Sequence, residues 1–345
     1  MAELINDPFG RRKIYPTNTH PNRAKPWLLG KDDWHDRRYD TWFDGNWEDY
    51  EISTDNNNDD VIKFSNDPLF GGSIKGRFPI LALRLDQYPR DMDNNTIIWS
   101  EKNQSILRKR GFMGTKQDWK NVEITMYWIV EGISNSGYRA MGFSVRGGPH
   151  HSSGGFFGIS PCWGTALYVA LRFDGVAKIQ KELGHGHYTD SISTEDTVTG
   201  GDIRDRWVGM KGIFYTKANG NPYIELWLDK NANNYWERIL YKEDDGTWFL
   251  SDGVDNDCSG ERNEKITWGG PGIIFKLDRL TRVDMKWASI REIMPPEGWP
   301  LKYLLKAREV PFPVSMRSLA ADYGLAIPIS LRELTEREAE RYPFP

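Results

Sequence analysis

The sequence predicts an all-β fold, an antiparallel β-sandwich of the jelly-roll type, and three observations carry that reading. Strand-length apolar runs recur from Asn121 to Ile293, separated by Gly, Asn and Asp. Many alternate apolar with polar residues, as in Tyr223-Ile-Glu-Leu-Trp-Leu-Asp229 and Val283-Asp-Met-Lys-Trp-Ala-Ser-Ile290. That is the period of strands with one face in a core. Helical patterns are scarce before Met294, and no strand–helix–strand rhythm calls for a parallel sheet.

In chain order, residues 1–50 are rich in Pro, Asn, Asp, Arg and Trp, with little periodicity. They read as an extended arm that hugs a surface through Trp27, Trp34, Trp42 and Trp47. Residues 51–293 form the sandwich. Strands are expected at 61–64, 78–85, 96–99, 122–130, 138–145, 166–173, 176–183, 207–216, 223–229, 236–241, 272–277 and 283–293. Asp174-Gly175 and Asn219-Gly220 mark hairpin turns. Residues 294–345 form a helical extension, with helices at 301–308, 315–323 and 330–342 separated by prolines. Ser330 and Glu333 make a capping box for the last of them. The apolar faces of this tail suit docking, on the sandwich, on a second copy or on neighbours in a particle.

The whole-chain numbers bound the function. At 345 residues the chain can bury a large core. A net charge of −4 implies no general attraction for nucleic acid. The glutamates at 333, 336, 338 and 340 would moreover repel phosphates from the last helix, so no nucleic-acid partner is expected. Trp, Tyr and Phe number 15 each, so aromatics supply much of the burial and some could stack on sugars. No apolar run reaches the length of a membrane span. The first residues, Met1 to Arg12, lack the basic-then-apolar order of a signal peptide. Cys162 and Cys258 each sit in a turn-like setting, and a bridge between them is expected only in an oxidising compartment.

Three segments together resemble a group of β-sandwich proteins of archaea and bacteria, usually secreted. They are Asp7-Pro-Phe-Gly-Arg-Arg-Lys-Ile-Tyr-Pro-Thr17, Trp119-Lys-Asn-Val-Glu-Ile-Thr125 and Trp207-Val-Gly-Met-Lys-Gly-Ile-Phe-Tyr215, joined by Trp268-Gly-Gly-Pro271 and Ser289-Ile-Arg-Glu-Ile293. The similarity spans about residues 7–293. The group in turn resembles the concanavalin A-like jelly rolls, which include alginate-type polysaccharide lyases and many lectin domains. The resemblance implies that fold and a glycan-facing role, with an extracellular or virion and surface-associated location. The visible absence of a leader and the helical tail depart from the secreted members and leave room for a virion or surface-layer subunit.

Two constellations are candidates for chemistry. The first is Arg146, His150, His151, Lys181, His185, His187 and Tyr188, which holds four of the six histidines. In a lyase acting on a uronate polymer, Arg146 would clamp the substrate carboxylate, His150 or His151 would take the proton beside it, and Tyr188 would protonate the leaving oxygen. Lys181 would complete that set. In a binding groove, Arg146, His151, His185, His187 and Tyr188 would instead hold sugar hydroxyls without cleavage. The histidines lack the helical spacing of a zinc site. The closely spaced acids Glu-x-Asp-x-x-Glu of sandwich-fold glucanases are absent, as are phosphate- and dinucleotide-binding fingerprints.

The second constellation is acidic-amide loops that could hold calcium through Asp229, Asn231, Asn233, Asp255 and Asp257, since calcium takes six to eight oxygens. The same composition is common in hairpin turns that bind no metal. The sequence therefore points to a polysaccharide or cell-surface glycan as partner. Binding without turnover is the first reading, β-elimination the second, and a structural particle subunit the third.

Overall fold

The computed structural model describes residues 6–7, 9–17, 50–54, 59–64, 80–86, 119–133, 139–147, 165–183, 187–251, 262–270, 272–278 and 280–296. Among them lie thirteen strands: β1 Tyr50–Thr54, β2 Asp60–Phe64, β3 Ile80–Asp86, β4 Val122–Ile133, β5 Ala140–Gly147, β6 Ala166–Arg172, β7 Ala177–Glu182, β8 Ile192–Ser193, β9 Val208–Thr216, β10 Pro222–Asp229, β11 Glu237–Glu243, β12 Gly272–Asp278 and β13 Leu280–Glu292. They form a seven-stranded sheet in the order β1-β2-β13-β4-β9-β10-β11 and a six-stranded sheet in the order β3-β12-β5-β6-β7-β8. Every pairing within these sheets is antiparallel. The chain changes sheet after β2, β3, β4, β8, β11 and β12. That interleaving makes the fold a jelly-roll β-sandwich.

The alternation seen in the sequence builds the core. From β4, Val122, Ile124, Met126, Trp128 and Val130 turn inward and meet Met141, Phe143 and Val145 of β5. Phe143 lies 6.1 Å from Trp128 and meets Phe275 of β12 edge-on at 5.3 Å. Gly212 marks a close approach between the layers. A Cβ there would sit 2.9 Å from side-chain atoms of both Phe143 and Val169.

The other face of the seven-stranded sheet is buried as well, which the alternation does not foretell. Glu123, Thr125 and Tyr127 of β4, Lys211 of β9, Glu225 and Asp229 of β10, and Ser289 of β13 have no exposed surface, and Arg291 has almost none. The N-terminal segment lies against these groups. The Tyr15 amide donates to Glu123 at 2.9 Å, its hydroxyl donates to Glu225 at 2.8 Å, and Ser289 donates to Asp7 at 2.9 Å. Arg11 stacks over Trp287 at 4.0 Å. Within the sheet, Glu123 pairs with Arg291 at 2.6 Å and Lys211 at 3.1 Å. Burial pushes the Glu123 carboxyl up, but Arg291, Lys211 and the Tyr15 amide outweigh burial and hold it at about 2.

Both predicted hairpins form. Gly175 and Gly220 take positive φ angles of 84° and 85° in the β6–β7 and β9–β10 turns. β1 and the two-residue β8 were not expected from the pattern. The expected strand 96–99, the tryptophans at 27, 34, 42 and 47, both cysteines and the tail helices lie outside the described residues. The chain divides into two compact units, 1–295 and 296–345. Among the described residues no helix is long and apolar enough to cross a membrane.

Candidate functional site

A groove of about 270 Å³ opens on the outer face of the six-stranded sheet. Its floor is β5 and β6, where Ala140, Gly142 and Ala170 keep the surface low. Gly142 pairs with Ala170, and a Cβ on Gly142 would fall 2.2 Å from the Val169 carbonyl oxygen. No larger residue fits there without moving β6. The walls are Tyr168 from β6, Lys178 and Gln180 from β7, and Tyr188. Strand alternation explains the set: Tyr168 and Ala170, like Lys178, Gln180 and Glu182, are the residues of β6 and β7 that turn away from the core.

The polar groups are fixed from behind. Tyr168 donates its hydroxyl to the buried Glu182, and its ring lies 6.4 Å from that of Tyr188, tilted by 60°. Burial, then the Glu182 and Tyr188 charges, push the Tyr168 phenol up, so it keeps its proton through the neutral range. Gln180 donates through its amide nitrogen to the Thr189 carbonyl at 2.9 Å. Tyr188 is carried on a short run that bridges to Glu182, secured by the Thr189 amide donating to the Lys181 carbonyl at 2.9 Å.

Among the described residues of the first sequence constellation, Tyr188 alone lines this groove. Arg146 is fully buried. Its Nε and Nη2 donate to the Lys120 carbonyl at 2.9 and 2.8 Å, and its Nη1 donates to the Ile266 carbonyl at 2.8 Å. Burial pushes its pKa down. Arg146 takes a φ of 61° where the β5–β12 register slips, a left-handed step that plain strand geometry does not anticipate. The expected carboxylate clamp is therefore corrected: this guanidinium ties loop carbonyls together. Lys181 is corrected likewise. It follows Ala177 and Ile179 at period two, so it faces the core, where its Nζ donates to Asp244 at 2.7 Å and to the Glu264 carbonyl at 2.9 Å. His187 is half-buried beside Tyr188 and is not part of the groove lining. His150, His151 and His185 lie outside the described residues.

At the β10–β11 loop, where the sequence offers oxygen ligands for calcium, the Asp229 and Asn233 side chains are hydrogen-bonded to the loop's own backbone. The Asp229 carboxylate accepts from the amides of Asn233 at 3.0 Å and Asn234 at 2.6 Å and from the Tyr127 hydroxyl at 2.6 Å. Asn233 in turn accepts from the Tyr235 amide at 3.1 Å, and Asn231 is exposed. In this arrangement the loop is a hydrogen-bonded turn. Among the described residues no cluster of three or more His, Cys, Asp or Glu could hold a metal, and Asp255 and Asp257 lie outside them.

No protein-family model and no curated protein matches the chain. Solved structures with a similar trace include an alginate lyase from Aplysia kurodai, at 10% identity over 71% of this chain and 87% of that one, with a TM-score of 0.39. A GlcNAcα1-4Gal-releasing endo-β-galactosidase from Clostridium perfringens matches at 10% identity over 86% and 67%, with a TM-score of 0.41. A protein with a galectin-like fold from Bacillus subtilis matches at 13% identity over 82% and 100%, with a TM-score of 0.38. At those TM-scores the likeness adds nothing to the strand order, which defines the jelly roll by itself.

Tyr168, Lys178, Gln180 and Glu182 were missed in the sequence because they belong to no polar cluster. Their signal was the alternate, non-core register of two consecutive strands joined by the Asp174-Gly175 turn.

Proposed function

We propose that the chain binds a polysaccharide in the groove on the outer face of the six-stranded sheet and does not cleave it. The groove's composition carries this reading: two tyrosines, a lysine and a glutamine around a floor of glycine and alanine. Aromatic rings offer flat apolar area to the faces of sugar rings, while hydroxyl, amide and ammonium groups match their oxygens. Lys178 favours an anionic chain, such as a uronate polymer.

Turnover by β-elimination needs a group to neutralise the substrate carboxylate and a base to take the neighbouring proton. Arg146 and Lys181, expected to help with that work, are buried and hydrogen-bonded inside the protein. Tyr168 holds its proton toward Glu182 and makes a poor base.

The test is titration with oligomannuronate and with neutral cello-oligosaccharides, run beside an ultraviolet assay for the unsaturated product of elimination. Binding without product is expected, with Lys178→Ala weakening the anionic ligand about tenfold and sparing the neutral one. Product formation would install the lyase reading in its place. Absence of binding to either class would favour a structural subunit.

A further inference from the structure

Phe249 is 52% exposed. Two tyrosines, Tyr235 and Tyr241, are similarly exposed, but each carries a hydroxyl, and Tyr241 also stacks on Tyr223. Among the described residues, no ring contact or polar group accounts for Phe249. A single exposed apolar ring is ordinary on a protein surface. What sets this one apart is its register.

Residues 248–251 alternate strictly: Trp248 and Leu250 are buried at 5% and 1%, while Phe249 and Ser251 face out. This run is laid against the one that carries Tyr188. Thr189 pairs with Leu250 antiparallel, and the Ser251 amide and hydroxyl both donate to the Tyr188 carbonyl, at 3.0 and 2.8 Å. The Leu250 amide donates to the Arg262 carbonyl at 2.8 Å, which holds the run from its far side. Tyr188 is itself bridged to Glu182, so the ladder runs from β7 through 188–189 to 250–251 and widens the sheet past the groove. With Thr189 opposite Leu250 on the inner side, Tyr188, Ser251 and Phe249 share the outer side. Diagonal neighbours on one face of a sheet stand roughly 7–8 Å apart, so Phe249 lies one step beyond the Tyr188 wall. The groove itself, at about 270 Å³, sits just below the usual range for pockets that enclose a whole ligand.

We propose that Phe249 is an outlying stacking platform for the same sugar chain that occupies the groove, which makes the ligand a polymer held along its length rather than a chain end or a single sugar. The inference rests on the glycan reading of the groove. A ring in the groove contacts Tyr168, Gln180 and Tyr188; a ring further along the chain lies flat on Phe249. The platform adds affinity only for ligands long enough to reach it.

Calorimetric titration of the full chain with mannuronate and cello-oligosaccharides, each as disaccharide and hexasaccharide, tests this. Phe249→Ala is expected to weaken the bound hexasaccharide about five- to tenfold and leave the disaccharide unchanged, while Phe249→Trp retains hexasaccharide affinity. Gln180→Ala, inside the groove, is expected to weaken both lengths. Equal loss of both lengths in Phe249→Ala, or no loss of either, would overturn the platform while leaving the groove reading intact. Failure of the unaltered chain to bind any of the four probes would overturn both. Thermal melting of each variant separates loss of a contact from loss of fold.

Discussion

Tyr168 and Glu182 are buried partners behind the groove, and their hydrogen bond fixes the wall that a ligand would meet. Tyr168→Phe leaves a buried carboxylate short of a donor, so denaturant unfolding should show a loss of about 1–3 kcal/mol. An unchanged midpoint would mean that the bond contributes nothing. Glu123 gives a second prediction with a defined pH sign. Its folded pKa, about 2, lies below the unfolded carboxylate range. The stabilisation is therefore fully present above about pH 4.3 and is lost as pH falls toward 2. Glu123→Gln should cost about 3 kcal/mol near neutrality, with the gap to the unaltered protein closing between those limits. A pH-independent gap would contradict the ion-pair account. Residue identity was the poorest guide to such roles. Arg146 and Lys181 stood out by chemistry, yet a cationic side chain reads the same whether it faces a substrate or buried acceptors of its own protein. For Lys181 the answer was already in the alternation with Ala177 and Ile179. For Arg146 it was not, because a left-handed residue at a register slip leaves no pattern.

Strands were the most legible element. β4, β6, β9 and β10 declare themselves through alternation and flanking turns, and the Asp174-Gly175 and Asn219-Gly220 hairpins follow from residues that accept positive φ. The N-terminal segment was legible only as extended. Its seat on the seven-stranded sheet depends on Glu123, Glu225 and Ser289, more than a hundred residues away in sequence. Removing residues 1–17 would uncover Glu123, Lys211 and Arg291, take the Tyr15 hydroxyl from Glu225 and take the Asp7 carboxylate from Ser289. A drop of several kcal/mol is expected, since opening buried charge networks costs about 3–5 kcal/mol. A truncated chain with an unchanged melting curve would show that the segment is passive. Gly142 tests the β5–β6 contact in the same way. Gly142→Ala forces a methyl against the Val169 carbonyl, so a loss of about 1–3 kcal/mol is expected together with weakened glycan binding. A variant that keeps both would mean that the floor yields easily.

At the scale of the whole sandwich, the two outer faces do different work. The face of the seven-stranded sheet is closed by the chain's own N-terminal segment over a network of buried charges. Among the described residues, the outer face of the six-stranded sheet carries a low-floored groove lined by aromatic and hydrogen-bonding side chains. That asymmetry is invisible in a sequence whose strands alternate similarly in both sheets. It follows from where residues 6–17 pack, which is a long-range contact. The central claim is that the grooved face holds the glycan. The most direct measurement is a crystal structure of the full chain soaked with a mannuronate hexasaccharide. The account predicts sugar density over Gly142 and Ala170, within hydrogen-bond reach of Gln180 and Tyr188 and continuing toward Phe249. Density on the outer face of the seven-stranded sheet, with the groove left empty, would contradict it.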